Sequence, residues 1–250
     1  MPLSVVLITY NEEKSIERCL KSVIQVADEI VVVDSSSTDL TREICLKYGV
    51  RFITHEFMGY GPQKRFAVSQ ATFNHILSID ADEELSETLK QSILEVKNDF
   101  YPACYSFNRL NFYCNKPIRF CGWYPDVQLR LFNRELANWN LNDVHEKILV
   151  MDGQKPVHLK GDLNHYTCQT ISEHQAKELK YARINAGILV QKNARIYTFT
   201  PWVKKYFRFL KTYLFKLGIL DGYYGFVISK TVAKSSFLKY SIARNELKKR

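Results

Sequence analysis

The chain has 250 residues, 46% of them hydrophobic, which suits one large domain with a true core and excludes intrinsic disorder as the default. Its six cysteines (Cys19, Cys45, Cys104, Cys114, Cys121 and Cys168) stand singly, with no C-x-x-C pair and no secretory leader, so a cytoplasmic protein with reduced thiols and no structural zinc is expected. The net charge of +9 is uneven: residues 1–195 hold 23 Lys/Arg against 24 Asp/Glu, and residues 196–250 hold 12 against 2.

"LSVVLIT" (3–9) reads as a continuous apolar strand. From Glu12 to Ala27, Ile16, Cys19, Leu20, Val23, Ile24 and Ala27 share one helical face. "EIVVVD" is a second apolar strand, a helix after "SSSTD" runs to about Tyr48 and stops at Gly49, and "VRFITH" is a third strand. A helix from Gln63 to about Ala71 precedes the strand "HILSI", which delivers Asp80. Apolar strands alternating with amphipathic helices predict an α/β fold with a mostly parallel sheet covered on both faces, and such sheets bind ligands beyond the carboxyl ends of their strands.

Three strand ends therefore matter: Thr9-Tyr10-Asn11, Asp34 and Asp80-Ala81-Asp82. Asn11 and Asp34 could each simply cap the following helix. Asp80 and Asp82 pose a sharper question, because carboxylates about 6 Å apart repel by roughly 3 kcal/mol at an effective dielectric near 20. A cation between them would relieve that cost. Neither G-x-G-x-x-G nor G-x-x-x-x-G-K-[ST] occurs, which disfavours a dinucleotide-binding dehydrogenase or a P-loop enzyme.

Beyond residue 100, "CYSFNRLNFY", "DVQLRLFNR", "VHEKILV" and "PVHLKG" read as further strands, and Thr170-Ile171-Ser172-Glu173 is a capping box for a helix reaching about Lys192. A soft boundary is expected at Tyr197 to Pro201, with Pro201 opening a tail helix. The tail "PWVKKYFRFLKTYLFKLG" interleaves Trp202, Tyr206, Phe207 and Phe209 with Lys204, Lys205, Arg208 and Lys211. That pattern suits an anionic membrane surface, or else a helix packed on the main domain. Nucleic acid is disfavoured, since the main domain has no basic excess and no nucleic-acid motif.

These stretches carry a resemblance. "VVLITYNEE", "IVVVDSSSTD", "GPQKRFA" and the D-x-D element in "ILSIDADEE" resemble, in order and spacing, the family 2 glycosyltransferases of the GT-A fold. "GWYPDVQLRLF", "DVHEKI", "LNHYT" and "LGILDGYYGF" resemble more narrowly the lipopolysaccharide or lipooligosaccharide core β-glucosyltransferases. The resemblance implies residues 1–195 as the GT-A domain, with a nucleotide-sugar half to about 100 and an acceptor half beyond it, and 196–250 as a helical tail.

It further implies a UDP-sugar donor, with Thr9, Asn11 and Glu12 near the nucleoside, Asp34 accepting the uracil N3–H, and Lys64 and Arg65 near the pyrophosphate. Asp82 would ligate Mg²⁺ or Mn²⁺, which prefer hard oxygen ligands, with Asp80 on the ribose or a metal-bound water and His165 completing the shell. Glu146 is the candidate base of an inverting transfer, although His145-Glu146 stands where many relatives have Glu-Asp; Asp126 is the reserve. Trp123 and Tyr124 are candidates for stacking on acceptor sugars and Arg130 for its phosphates. The implied acceptor is a heptose on a lipid-linked oligosaccharide at the cytoplasmic face of the bacterial inner membrane. The rival readings are a nucleotidyltransferase, although "TYNEEKS" lacks the glycine-rich loop, and a non-catalytic module for membrane surfaces. A glycoside hydrolase would need carboxylates flanking the bond, whereas Asp80 and Asp82 leave one strand end together.

Overall fold

The wholly apolar runs of the first eighty residues become the parallel part of a sheet in a computed structural model that describes residues 1–101, 104–141, 146–151 and 155–249. In chain order the elements are β1 (Leu3–Thr9), α1 (Ile16–Val23), β2 (Glu29–Asp34), α2 (Thr41–Lys47), β3 (Arg51–Thr54), α3 (Tyr60–Gln70), β4 (His75–Asp80), β5 (Glu83–Leu85) and α4 (Glu87–Val96). There follow β6 (Cys104–Tyr113), β7 (Lys116–Pro117), β8 (Asp126–Asn133), β9 (Ala137–Trp139), β10 (Ile148–Val150), β11 (Val157–Cys168), α5 (Ile171–Gln191), α6 (Thr200–Leu210) and α7 (Gly222–Leu247).

The sheet order is β3-β2-β1-β4-β8-β6-β11-β5. Strands β1 to β4 pair in parallel, whereas β8 returns antiparallel on β4 and on β6, and β5 lies antiparallel on β11. The fold is thus the expected GT-A type of mixed α/β sheet. Both faces of the parallel part are covered, which is why these strands are apolar at successive positions rather than alternating. One core holds Leu3, Val5 and Leu7 with Leu20 and Val23 of α1; the other holds Val6, Val31 and Val33 with Ala67 and Val68 of α3.

Helix α1 begins later and ends sooner than the expected 12–27, α3 starts at Tyr60, and the expected strand at "PVHLKG" extends through "LNHYT" as twelve-residue β11. Of "VHEKILV", only Ile148–Val150 is strand, and Val144 and His145 lie outside the described residues.

Two compact units divide the chain: Met1–Arg109 with Asp126–His165, and Leu110–Pro125 with Tyr166–Arg250. The division falls elsewhere than a boundary near residue 195, because α5 packs against α7 and so belongs with the tail. Within the second unit the capping box of Thr170 and Glu173 forms as expected, and Pro201 sits in the first turn of α6. Asp221 accepts the backbone N–H groups of Arg119 and Phe120 at 3.1 and 3.0 Å, and the Gly218 carbonyl occupies the space a Cβ on Gly225 would need. Those contacts account for much of "LGILDGYYGF". Trp202, Val203, Tyr206, Phe207, Leu210 and Phe215 are exposed. Among the described residues no helix is long and apolar enough to cross a membrane.

Candidate active site

Strand register brings the predicted ends level: Thr9 pairs with Asp34 across β1–β2, and Ile8 with Asp80 across β1–β4. Beyond them opens a cleft of about 620 Å³, within the range of small-molecule sites. It is lined by Ile8, Thr9, Tyr10 and Glu12 after β1, Ser35 after β2, Phe57, Tyr60 and Lys64 around the start of α3, Asp80, Ala81 and Asp82 after β4, and Glu146 and His165. All of these residues belong to the first unit.

Asp80 is not a bare carboxylate awaiting a cation. Lys64 Nζ lies 2.8 Å from its Oδ1 and Arg130 Nη2 donates to its Oδ2 at 3.1 Å. Burial pushes the Asp80 pKa up, but Lys64 and then Arg130 outweigh it and hold the carboxyl well below the usual range. Asp80 therefore stays ionised at neutral pH. Asp82 faces His165, with Oδ2 3.3 Å from Nε2, because β5 pairs with β11 in a register that sets Glu83 opposite His165. Glu146 Oε1 stands 3.5 Å from Lys64 Nζ.

Behind this row lies Glu83, 1% exposed, whose Oε1 is 3.4 Å from both Arg109 Nη1 and Arg130 Nη2. Arg109 in turn holds Asp126 at 2.8 Å. Five carboxylates, Asp80, Asp82, Glu83, Asp126 and Glu146, thus face Lys64, Arg109 and Arg130, so the carboxylates outnumber the Lys and Arg groups by two. No group of three or more His, Cys, Asp or Glu converges as a metal cage among the described residues. A hexacoordinate Mg²⁺ or Mn²⁺ commonly takes only one or two protein ligands beside substrate phosphates. Asp82 and His165, converging in a cleft with that carboxylate excess, fit such an ion.

Several expectations need correction. Arg65, one residue round the helix from Lys64, is exposed and donates to the Trp139 carbonyl at 3.2 Å, and it does not line the cleft. Arg130 is 3% exposed and engaged with Asp80 and Glu83, which leaves it no acceptor phosphate to meet. Asp34, 3% exposed, turns both oxygens onto the backbone N–H and hydroxyl of Ser37, the local turn that its residue type favours, and the cleft is lined by Ser35 instead. Asn11 braces the same loop by accepting Thr38 N–H at 2.8 Å. Asp126 is paired with Arg109, which suits a base poorly. Trp123 meets Tyr113 and His174 edge-on at 5.9 and 6.0 Å in the second unit, a packing role; Tyr124 lies 5.5 Å from the Arg119 guanidinium.

Sequence reading missed Glu83, Arg109 and Trp139. The Trp139 ring has Lys64 Nζ at 4.6 Å and the Arg130 guanidinium at 5.3 Å, and its indole N–H donates to Ser78 Oγ at 3.1 Å. Tyr10, Phe57 and Tyr60, exposed at the cleft, were also unassigned, and only the position of Tyr10 directly after a strand end offered a signal.

Comparison with known proteins identifies the family. Residues 4–152 match the family model described as glycosyl transferase family 2. An uncharacterized glycosyltransferase of Rickettsia felis is 31% identical over 99% of this chain and 91% of its own length. The lipopolysaccharide core biosynthesis glycosyltransferase LpsC of Rhizobium meliloti is 32% identical over 95% and 90%. Among solved structures, glucosyl-3-phosphoglycerate synthase from Mycobacterium tuberculosis aligns over 45% of this chain and 44% of its own at 23% identity and a TM-score of 0.36, too distant to add weight. With its family model covering more than half the chain and relatives similar along nearly all of it, the protein belongs to glycosyl transferase family 2.

Proposed function

We propose that this glycosyltransferase moves a hexose, glucose from UDP-glucose, onto a heptose of a lipid-linked inner-core oligosaccharide with inversion, in one displacement. The observation that carries the reading is the convergence of Lys64, Asp80, Asp82, Glu146 and His165 on one cleft at the carboxyl ends of β1 and β4. Similarity to LpsC along the chain supports the choice of acceptor.

In this reading Thr9 and Glu12 flank the nucleoside, and Asn11 and Asp34 shape the loop behind it. Lys64 meets the diphosphate as a point charge. Asp80 takes the ribose, and Asp82 with His165 holds Mg²⁺ or Mn²⁺. When bound, the divalent ion offsets the negative charge that develops on the departing diphosphate. Glu146 accepts the acceptor hydroxyl's proton as that oxygen attacks the anomeric carbon.

UDP should stabilise the protein only with Mn²⁺ present. At about 100 times its Kd the gain is about 2.7 kcal/mol, a rise of several degrees in melting temperature. No Mn²⁺-dependent shift with any nucleoside diphosphate would count against the site as described.

The lipid-linked acceptor places the enzyme at the cytoplasmic face of the inner membrane, where the exposed aromatics of α6 meet the bilayer interface and Lys204, Arg208 and Lys211 meet anionic headgroups. Co-sedimentation with phosphatidylglycerol vesicles, and none with phosphatidylcholine alone, is expected. Lys204→Glu with Arg208→Glu should abolish it, and retained binding by that variant would argue against this face.

A further inference from the structure

Asp80 is gripped from three directions, and only one of the groups that grip it, Lys64, lines the cleft. Lys64 takes Oδ1, Arg130 Nη2 takes Oδ2, and the Asp80 backbone N–H donates to Glu83 Oε2 at 2.9 Å. Glu83 and Arg130 also meet each other at 3.4 Å, so the side chain and the backbone of Asp80 are tied to one buried ion pair. Arg109 anchors Glu83 from the far side, and the face of Trp139 backs both Arg130 and Lys64.

This arrangement is a poor way to build a core. A buried ion pair is often no more stabilising than apolar residues of similar volume. The Arg130 guanidinium makes matters worse, since its Nε and Nη1 are buried without a hydrogen-bond partner among the described residues while Nη2 makes every contact. Unpaired buried donors normally cost stability and ask for an explanation. The side that is paired is the side that meets the site.

We infer that Arg130 and Glu83 are positioning residues that fix the carboxylate and backbone of Asp80 in its donor-binding orientation, and that Glu83, though it directly follows the D-x-D element, is neither a ligand nor a base. The inference rests on the cleft being the nucleotide-sugar site, and it separates two carboxylates that are alike in sequence: Asp82 works in the cleft, and Glu83 works through Asp80. Positioning also makes a demand that simple packing does not, namely that the effect of losing the pair should vanish once Asp80 can no longer respond.

A double-mutant cycle tests this with UDP and Mn²⁺ as the probe, read by calorimetric Kd. The paired variant Arg130→Met/Glu83→Gln leaves no orphaned buried charge and keeps Arg109 on Asp126. It should bind Mn²⁺–UDP about tenfold more weakly than wild type, whereas adding the same pair to Asp80→Asn should change affinity by less than about twofold. Equal losses in both backgrounds, or wild-type affinity in the paired variant, would overturn the inference. If the paired variant loses its cooperative melt, Arg130→Lys replaces it in the same cycle, with a loss of several-fold expected in wild type and none in Asp80→Asn. A wild-type protein that binds no Mn²⁺–UDP would overturn the reading of the cleft, and this inference with it; a wild type that binds beside an additive cycle overturns the inference alone.

Discussion

Glu146→Gln is expected to lower kcat by about 10² to 10⁴-fold while leaving the affinity for UDP with Mn²⁺ within about twofold of wild type. The amide keeps the shape of the carboxylate and loses its negative charge, which faces Lys64 at 3.5 Å, together with its ability to take a proton. Glu146 lines the cleft with a partly exposed side chain, so an incoming hydroxyl can reach it. Lys64, 3.5 Å from Glu146, is shared with Asp80 at 2.8 Å, so the contact to Glu146 is the longer and weaker of the two. Asp126, the reserve base, lies under Arg109 and accepts from Gln128 at 2.7 Å, and it is absent from the cleft lining. Steady-state kinetics beside a UDP titration separates turnover from binding; near-wild-type turnover in Glu146→Gln would remove it from the role.

Local chemistry made much of this legible in advance. Runs such as "LSVVLIT" and "EIVVVD" can satisfy their apolar side chains only when both sheet faces are covered, so the parallel strands and the edge where Thr9 and Asp80 emerge followed from the sequence. What could not be read was whatever depends on partners far along the chain. Lys64 and Arg65 are adjacent and chemically alike, yet one helical step of about 100° sends the first into the cleft and the second to the Trp139 carbonyl. Glu83 and Asp82 are adjacent carboxylates, and the pairing of β5 with β11 turns one inward to Arg109 and Arg130 and leaves the other facing His165. Arg130 reads from sequence as a candidate for the acceptor's phosphates because nothing nearby in sequence shows that β8 runs beside β4. Asp34 differs in kind: its alternative as a local cap is legible in the sequence, and both its oxygens accept from Ser37 three residues on.

The same alternation of inward and outward carboxylates sets the second large effect. Asp82→Asn is expected to abolish the Mn²⁺-dependent rise in melting temperature with UDP and to lower kcat/KM by about 10² to 10³-fold, equivalent to about 3 to 4 kcal/mol of transition-state stabilisation. The substitution removes one of the two carboxylate charges by which the cluster exceeds its Lys and Arg groups, and it takes the anionic oxygen from the pair that faces His165. It leaves the Asp80 clamp of Lys64, Arg130 and Glu83 untouched, so the fold should be unaffected and the melting temperature without ligand should stay within about 2 °C of wild type. His165→Gln should fall on the same side of the comparison with a smaller loss, since a neutral nitrogen donor contributes less charge than a carboxylate. If Asp82→Asn bound UDP with undiminished Mn²⁺ dependence while Asp80→Asn lost it, the ligand would be Asp80, and Lys64 would have to release it when the ion arrives.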